Sequence, residues 1–82
     1  FQEMKDRWEV KLIREMASYE ELLKHPTFSR KRFRDFIPET FQPMEEYKIT
    51  RVLNRLVDWG FVRKIKHNTY ELVMDEINEQ GE

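Results

Sequence analysis

The apolar positions of this chain fall into helical stripes followed by two short alternating runs. Trp8, Leu12, Met16, Tyr19 and Leu23 step by four, four, three and four residues, with Ile13 beside them. That spacing predicts one face of a helix from about residue 4 to residue 24, with Glu, Lys and Arg on the other side. Ser18-Tyr19-Glu20-Glu21 matches a capping box, in which the serine side chain accepts from a backbone N–H and a glutamate three residues on reaches back. The motif leaves open whether the helix breaks at Ser18. Pro26 ends it in either case, because the residue before a proline is pushed out of the helical region.

Thr27 and Phe28 read as a short extended connection. Ser29 is placed to cap a second helix, Arg30 to about Ile37, with Phe33, Phe36 and Ile37 on one side. Pro38 and Pro43 bracket a turn, Glu39-Thr40-Phe41-Gln42, in which Phe41 is expected to plug the core. A third helix is predicted from near Met44 to Trp59, facing inward with Tyr47, Ile49, Val52, Leu53, Leu56 and Val57. Gly60 follows where a left-handed cap is expected. The period then changes to two: Phe61, Arg63 and Ile65 alternate with Val62, Lys64 and Lys66, and Tyr70 and Leu72 with Thr69, Glu71 and Val73. His67-Asn68 between them predicts a β-hairpin with a two-residue tip, Asn68 being able to take a positive φ. Residues 74–82 read as a tail that either continues as a helix through Met74 and Ile77 or frays. Trp8, Trp59 and the phenylalanines are expected in the core.

Helix, helix, turn, helix, glycine and hairpin is an order that resembles the winged helix-turn-helix superfamily. The residues carrying the resemblance are Ile49, Leu53, Leu56, then Gly60-Phe61-Val62, then Tyr70-x-Leu72. The resemblance covers roughly residues 10–73. It implies an α+β, mostly α, domain: a three-helix core plus a short two-stranded antiparallel wing. The expected organisation is a single winged-helix domain over residues 1–82, with its core at about 8–73 and a tail at 74–82.

With 82 residues the chain is one domain in size. A chain this short buries only about 60% of its unfolded surface, so its core must be continuous. There are no cysteines, which removes disulfides, thiolate metal sites and cysteine nucleophiles together. No apolar run approaches the roughly 18 residues that span a bilayer. These features lead us to expect an intracellular protein, cytoplasmic or nuclear, with no membrane partner, no cofactor and no small-molecule ligand. Starting at Phe1 and ending in a polar tail, the chain reads as a piece of a longer protein.

Net charge is −1, but it is unevenly spread. Residues 24–34 hold five bases and no acid; residues 35–47 hold four acids and no base. Residues 48–70 hold six bases against the single Asp58, and residues 71–82 hold five acids and no base. Positive charge therefore sits in two blocks inside an otherwise acidic chain.

In DNA-binding members of the resembled family the third helix enters the major groove. Here its outward positions include Lys48, Thr50, Arg51, Asn54 and Arg55. Arginine suits guanine and asparagine suits adenine, since each makes two hydrogen bonds to the base edge. Arg51, Asn54 and Arg55 are thus candidates for base edges, and Lys48 and Thr50 for phosphates or edges. Ser29, Arg30 and Lys31 at the start of the second helix are candidates for a phosphate clamp. Lys64 and Lys66 supply a positive wing. Glu45 and Glu46 oppose this reading, for they favour the helix dipole but repel phosphate. Double-stranded DNA is the expected partner, with transcription regulation or DNA processing as the setting. Replacing Arg51 and Arg55 by alanine is expected to abolish binding with little change in stability.

A competing expectation is a protein partner met through the third helix and wing. Asp6-Arg7, Ile13-Arg14-x-Met16, Leu23-Lys24-His25, Phe41-x-Pro43, Ile49 through Val62, and Tyr70 are similar to the carboxy-terminal winged helix of cullins, scaffolds of multisubunit ligases. Cullins carry a modifiable lysine directly after the arginine-x-methionine, where this chain has Ala17 and Ser18, so no acceptor lysine is carried over. An enzyme is not expected. The chain has no glycine-rich phosphate loop and no nucleophile motif. The adjacent pairs Glu20/Glu21 and Glu45/Glu46 point about 100° apart on a helix and cannot face one another.

Overall fold

The fold is given by a computed structural model that describes residues 7–80. Helix α1 (Trp8–Ala17) buries Val10, Leu12, Ile13 and Met16. The predicted long helix breaks at Ser18-Tyr19, and α2 (Glu20–Lys24) follows; the expected start near residue 4 lies outside the described residues. The break is not made by a capping box. Ser18 Oγ donates to the Glu15 carbonyl at 2.8 Å, and Tyr19, with extended backbone, is the residue that precedes α2. The single extended residue, Tyr19, resets its phase. Leu22 becomes fully buried, whereas Tyr19 and Leu23, expected on the core stripe, are 45% and 60% exposed.

Thr27 and Phe28 are part of a strand, β1 (Thr27–Ser29), which pairs antiparallel with β3 (Thr69–Leu72) in the register Phe28 opposite Tyr70. Strand β2 (Val62–Lys66) pairs with the other edge of β3, giving the order β1-β3-β2. The expected two-stranded hairpin is therefore a three-stranded antiparallel sheet. An extended segment leaves backbone N–H and C=O groups without partners, and the free edge of β3 supplies them. The pairing is sealed at both ends: Leu72 N–H donates to the Pro26 carbonyl at 2.8 Å, and Arg30 N–H to the Asn68 carbonyl at 3.0 Å.

Ser29 caps α3 (Arg30–Phe36) as expected, its side chain accepting from the Arg32 N–H at 3.1 Å. Fully buried Phe33 packs on Phe28, and Phe28 on Tyr70, with ring centroids 5.9 Å apart in each case. This aromatic column joins α3 to the sheet. A single 3-10 turn, Glu39–Phe41, comes next. Phe41 does not plug the core. It is 39% exposed and stacks on Trp8 at 4.5 Å, while Met44 takes the buried position just after the turn. Trp8, Phe36 and Trp59 pack against the margin of the core and not inside it.

Helix α4 (Glu46–Asp58) buries Ile49, Val52, Leu53 and Leu56. Tyr47, expected inward, is 55% exposed. Two residues from Ile49 is a rotation of about 200°, so Tyr47 belongs to the outward row with Arg51, Asn54 and Asp58. Gly60, at φ +87°, turns the chain so that Phe61 and Val62 enter the core directly. Asn68 takes φ +61° at the hairpin tip. The segment after β3 is the helix α5 (Met74–Gln80), which packs on α1 with Ile77 2% exposed. The result is a small α+β domain in which helices and a three-stranded antiparallel sheet share one core.

Candidate nucleic-acid interface

Amphipathicity alone dictates what α4 offers outward. With its buried row on Ile49, Val52, Leu53 and Leu56, the opposite row carries Tyr47, Thr50, Arg51, Asn54 and Asp58, and these with Arg55 line one shallow hollow. Of the residues selected from sequence, Thr50, Arg51, Asn54 and Arg55 are brought together there. The Arg51 guanidinium and the Lys48 ammonium each lie 6.0 Å from the Tyr47 ring centroid. The spacing 47, 51, 54, 58 was visible in the sequence and marks Tyr47 as part of this face.

A second cleft lies at the start of α4. It is lined by Ser29, Arg30, Lys31, Arg34, Glu46, Ile49 and Asn68, so it joins the start of α3, the start of α4 and the hairpin tip. Ser29, Arg30 and Lys31 therefore do meet. Lys48, Lys64 and Lys66 are exposed and line neither hollow.

Ion pairing divides the basic residues into two groups. Arg30 donates to Glu46 Oε2 from Nη2 at 2.9 Å and from Nε at 3.1 Å, and Arg34 Nη1 lies 3.0 Å from Glu46 Oε1. Arg55 Nη1 donates to Glu9 Oε2 at 2.7 Å. Arg32 pairs with Glu21 and Arg63 with Glu71. By contrast, Lys31, Lys48, Arg51, Lys64 and Lys66 have no acidic partner among the described residues. Much of the positive charge in the two sequence blocks is thus neutralised internally, and the remainder is mostly lysine, with Arg51 on α4.

Arg55 is the residue whose place differs most from its sequence reading. It is half-buried, and its guanidinium is engaged by a carboxylate from α1. Arg34 was not selected from sequence, although it shares Glu46 with Arg30 and also donates to the Met44 carbonyl at 3.3 Å. Its place one helical turn after Arg30 was the available signal.

Among the described residues no group of three or more His, Asp or Glu side chains converges as a metal site, and no helix is long and apolar enough to cross a membrane. Comparison with protein-family models, with curated proteins and with solved structures gives no match.

Proposed function

We propose that this domain is a winged-helix module that binds duplex nucleic acid within a larger regulatory or DNA-processing protein. In this reading α4 lies in the major groove. Arg51 and Asn54 address base edges, and Thr50 and Lys48 the edges or adjacent phosphates. Lys31, Lys64 and Lys66 contact the backbone on either side. The element order and the sheet order β1-β3-β2 fit a winged helix, with β2 and β3 as the wing.

The observation that carries the reading is the division of charge. The arginines that hold elements together are paired, while Lys48 and Arg51 on α4 and Lys64 and Lys66 on β2 have no acidic partner among the described residues. An unpaired surface cation is available to displace counterions from a phosphate backbone. Arg30 and Arg55 are not assigned direct contacts, because their guanidiniums are already engaged.

Titration of a labelled duplex at two salt concentrations tests this. Binding at low salt that weakens steeply as salt rises, and is lost in the Lys48→Ala/Arg51→Ala variant, supports the reading. Absence of binding at low salt overturns it. One observation favours a protein partner as the second reading: Tyr47 is 55% exposed beside Arg51, and exposed tyrosine with arginine is the side-chain chemistry that dominates protein interfaces.

A further inference from the structure

Glu46 sits where a nucleic-acid contact would be repelled, at the head of the helix assigned to the groove. Its side chain is 62% exposed, yet both of its oxygens are held by guanidiniums, Oε2 by Arg30 and Oε1 by Arg34. Each arginine is also anchored on the backbone: Arg30 Nη2 donates to the Glu46 carbonyl at 2.7 Å and Arg34 Nη2 to the Met44 carbonyl at 3.3 Å. Two forks therefore converge on one exposed anion and keep backbone anchors that do not depend on its carboxylate. A guanidinium fork fits phosphate as well as it fits carboxylate. Lys31, without an acidic partner among the described residues, lines the same cleft of about 340 Å3.

We propose that Arg30, Arg34 and Lys31 form a phosphate-binding site that Glu46 occupies as a built-in competitor. The inference rests on the nucleic-acid reading and adds a restraint to it. A backbone phosphate enters this cleft only when the tethered carboxylate swings out into water. An exposed ion pair yields at little cost, so a phosphate presented by a correctly docked duplex displaces Glu46, whereas loosely placed phosphates compete with a ligand that is always at hand. Glu46, one of the two acids that oppose DNA binding in the sequence, thereby becomes part of how it is limited.

The test uses the full chain, a fluorescent duplex and four proteins: wild type, Glu46→Gln, Glu45→Gln and Glu46→Gln/Arg30→Ala/Arg34→Ala. Glu46→Gln is expected to tighten binding about fivefold or more and to steepen the salt dependence by about one to two phosphate contacts. Glu45→Gln changes net charge equally but releases no arginine, and is expected to leave the salt slope unchanged. Removing both arginines from Glu46→Gln should cancel the gain; if that variant does not melt cooperatively, Arg34→Ala alone in the Glu46→Gln background takes its place. Equal gains from Glu45→Gln and Glu46→Gln, or an unchanged slope in Glu46→Gln, overturn the inference while leaving the nucleic-acid reading intact. If no variant binds duplex at low salt, the nucleic-acid reading falls and inorganic phosphate decides the site. Saturable shifts of the Arg30 and Arg34 Nε–H resonances in Glu46→Gln, with the Arg30 shift lost in Glu46→Gln/Arg34→Ala, keep the phosphate site; no shift removes it.

Discussion

Arg55 Nη1 and Glu9 Oε2 meet at 2.7 Å across a sequence separation of 46 residues, and Glu9 is 2% exposed. Glu9 lies in the first turn of α1 and Arg55 in the last turn of α4, where each charge also complements the dipole of its own helix. The pair fastens the start of α1 to the end of α4.

Arg55→Ala is accordingly expected to lower stability by about 2–3 kcal/mol, because a buried carboxylate is left without its charged partner. That replaces the sequence-based expectation of a thermally silent substitution. Glu9→Leu/Arg55→Leu should recover most of the loss, since apolar replacement of both partners removes the stranded charge. Urea unfolding of the three proteins measures this. A wild-type midpoint for Arg55→Ala would show that the pair contributes nothing.

Adjacent leucines in α2 should behave oppositely. Leu22 is fully buried and Leu23 is 60% exposed. Leu22→Ala should cost about 2–5 kcal/mol, and Leu23→Ala should stay within about 0.5 kcal/mol of wild type. The reverse ranking would mean that the helix runs unbroken through Ser18.

Gly60 provides a backbone test free of packing effects. Its φ is +87°, and a Cβ built there meets no atom within 4 Å. Gly60→Ala is therefore expected to destabilise by about 1–2 kcal/mol through the left-handed conformation alone, and Gly60→Asn by less, since asparagine tolerates positive φ better. Thermal melts of the two variants should rank in that order.

Lys48→Ala is expected to reduce the magnitude of the salt slope for duplex binding by about one. Arg51→Ala should instead flatten the preference among duplex sequences, which Lys48→Ala should not. Neither residue has an acidic partner among the described residues, so both variants should melt with wild type. A lower melting temperature for either would assign it a structural role.

The candidate interface was legible in sequence where it depended on helical phase. Ser29 as a cap, Gly60 and Asn68 as positive-φ residues, and the buried row of α4 all follow from local chemistry: a hydroxyl within reach of an N–H, a missing or short side chain, a 3.6-residue period. The same period places Tyr47 outward, opposite Ile49. Hydrophobicity alone points Phe41 to the core, and nothing local reveals that Met44 takes the buried position after the turn.

What the sequence determined by itself was the succession of α3, α4 and the β2-β3 hairpin and which face of α4 is apolar, because both arise from interactions within a few residues. The tertiary structure alone decided the rest. β1 became a strand because the free edge of β3 was within reach, and α5 packed because α1 offered it a surface. Formal charge, as the sequence states it, is a property of single residues. Whether an arginine is free to meet a phosphate depends on which carboxylate the fold brings beside it, and for Arg55 and Arg30 those are Glu9 and Glu46, distant in the chain.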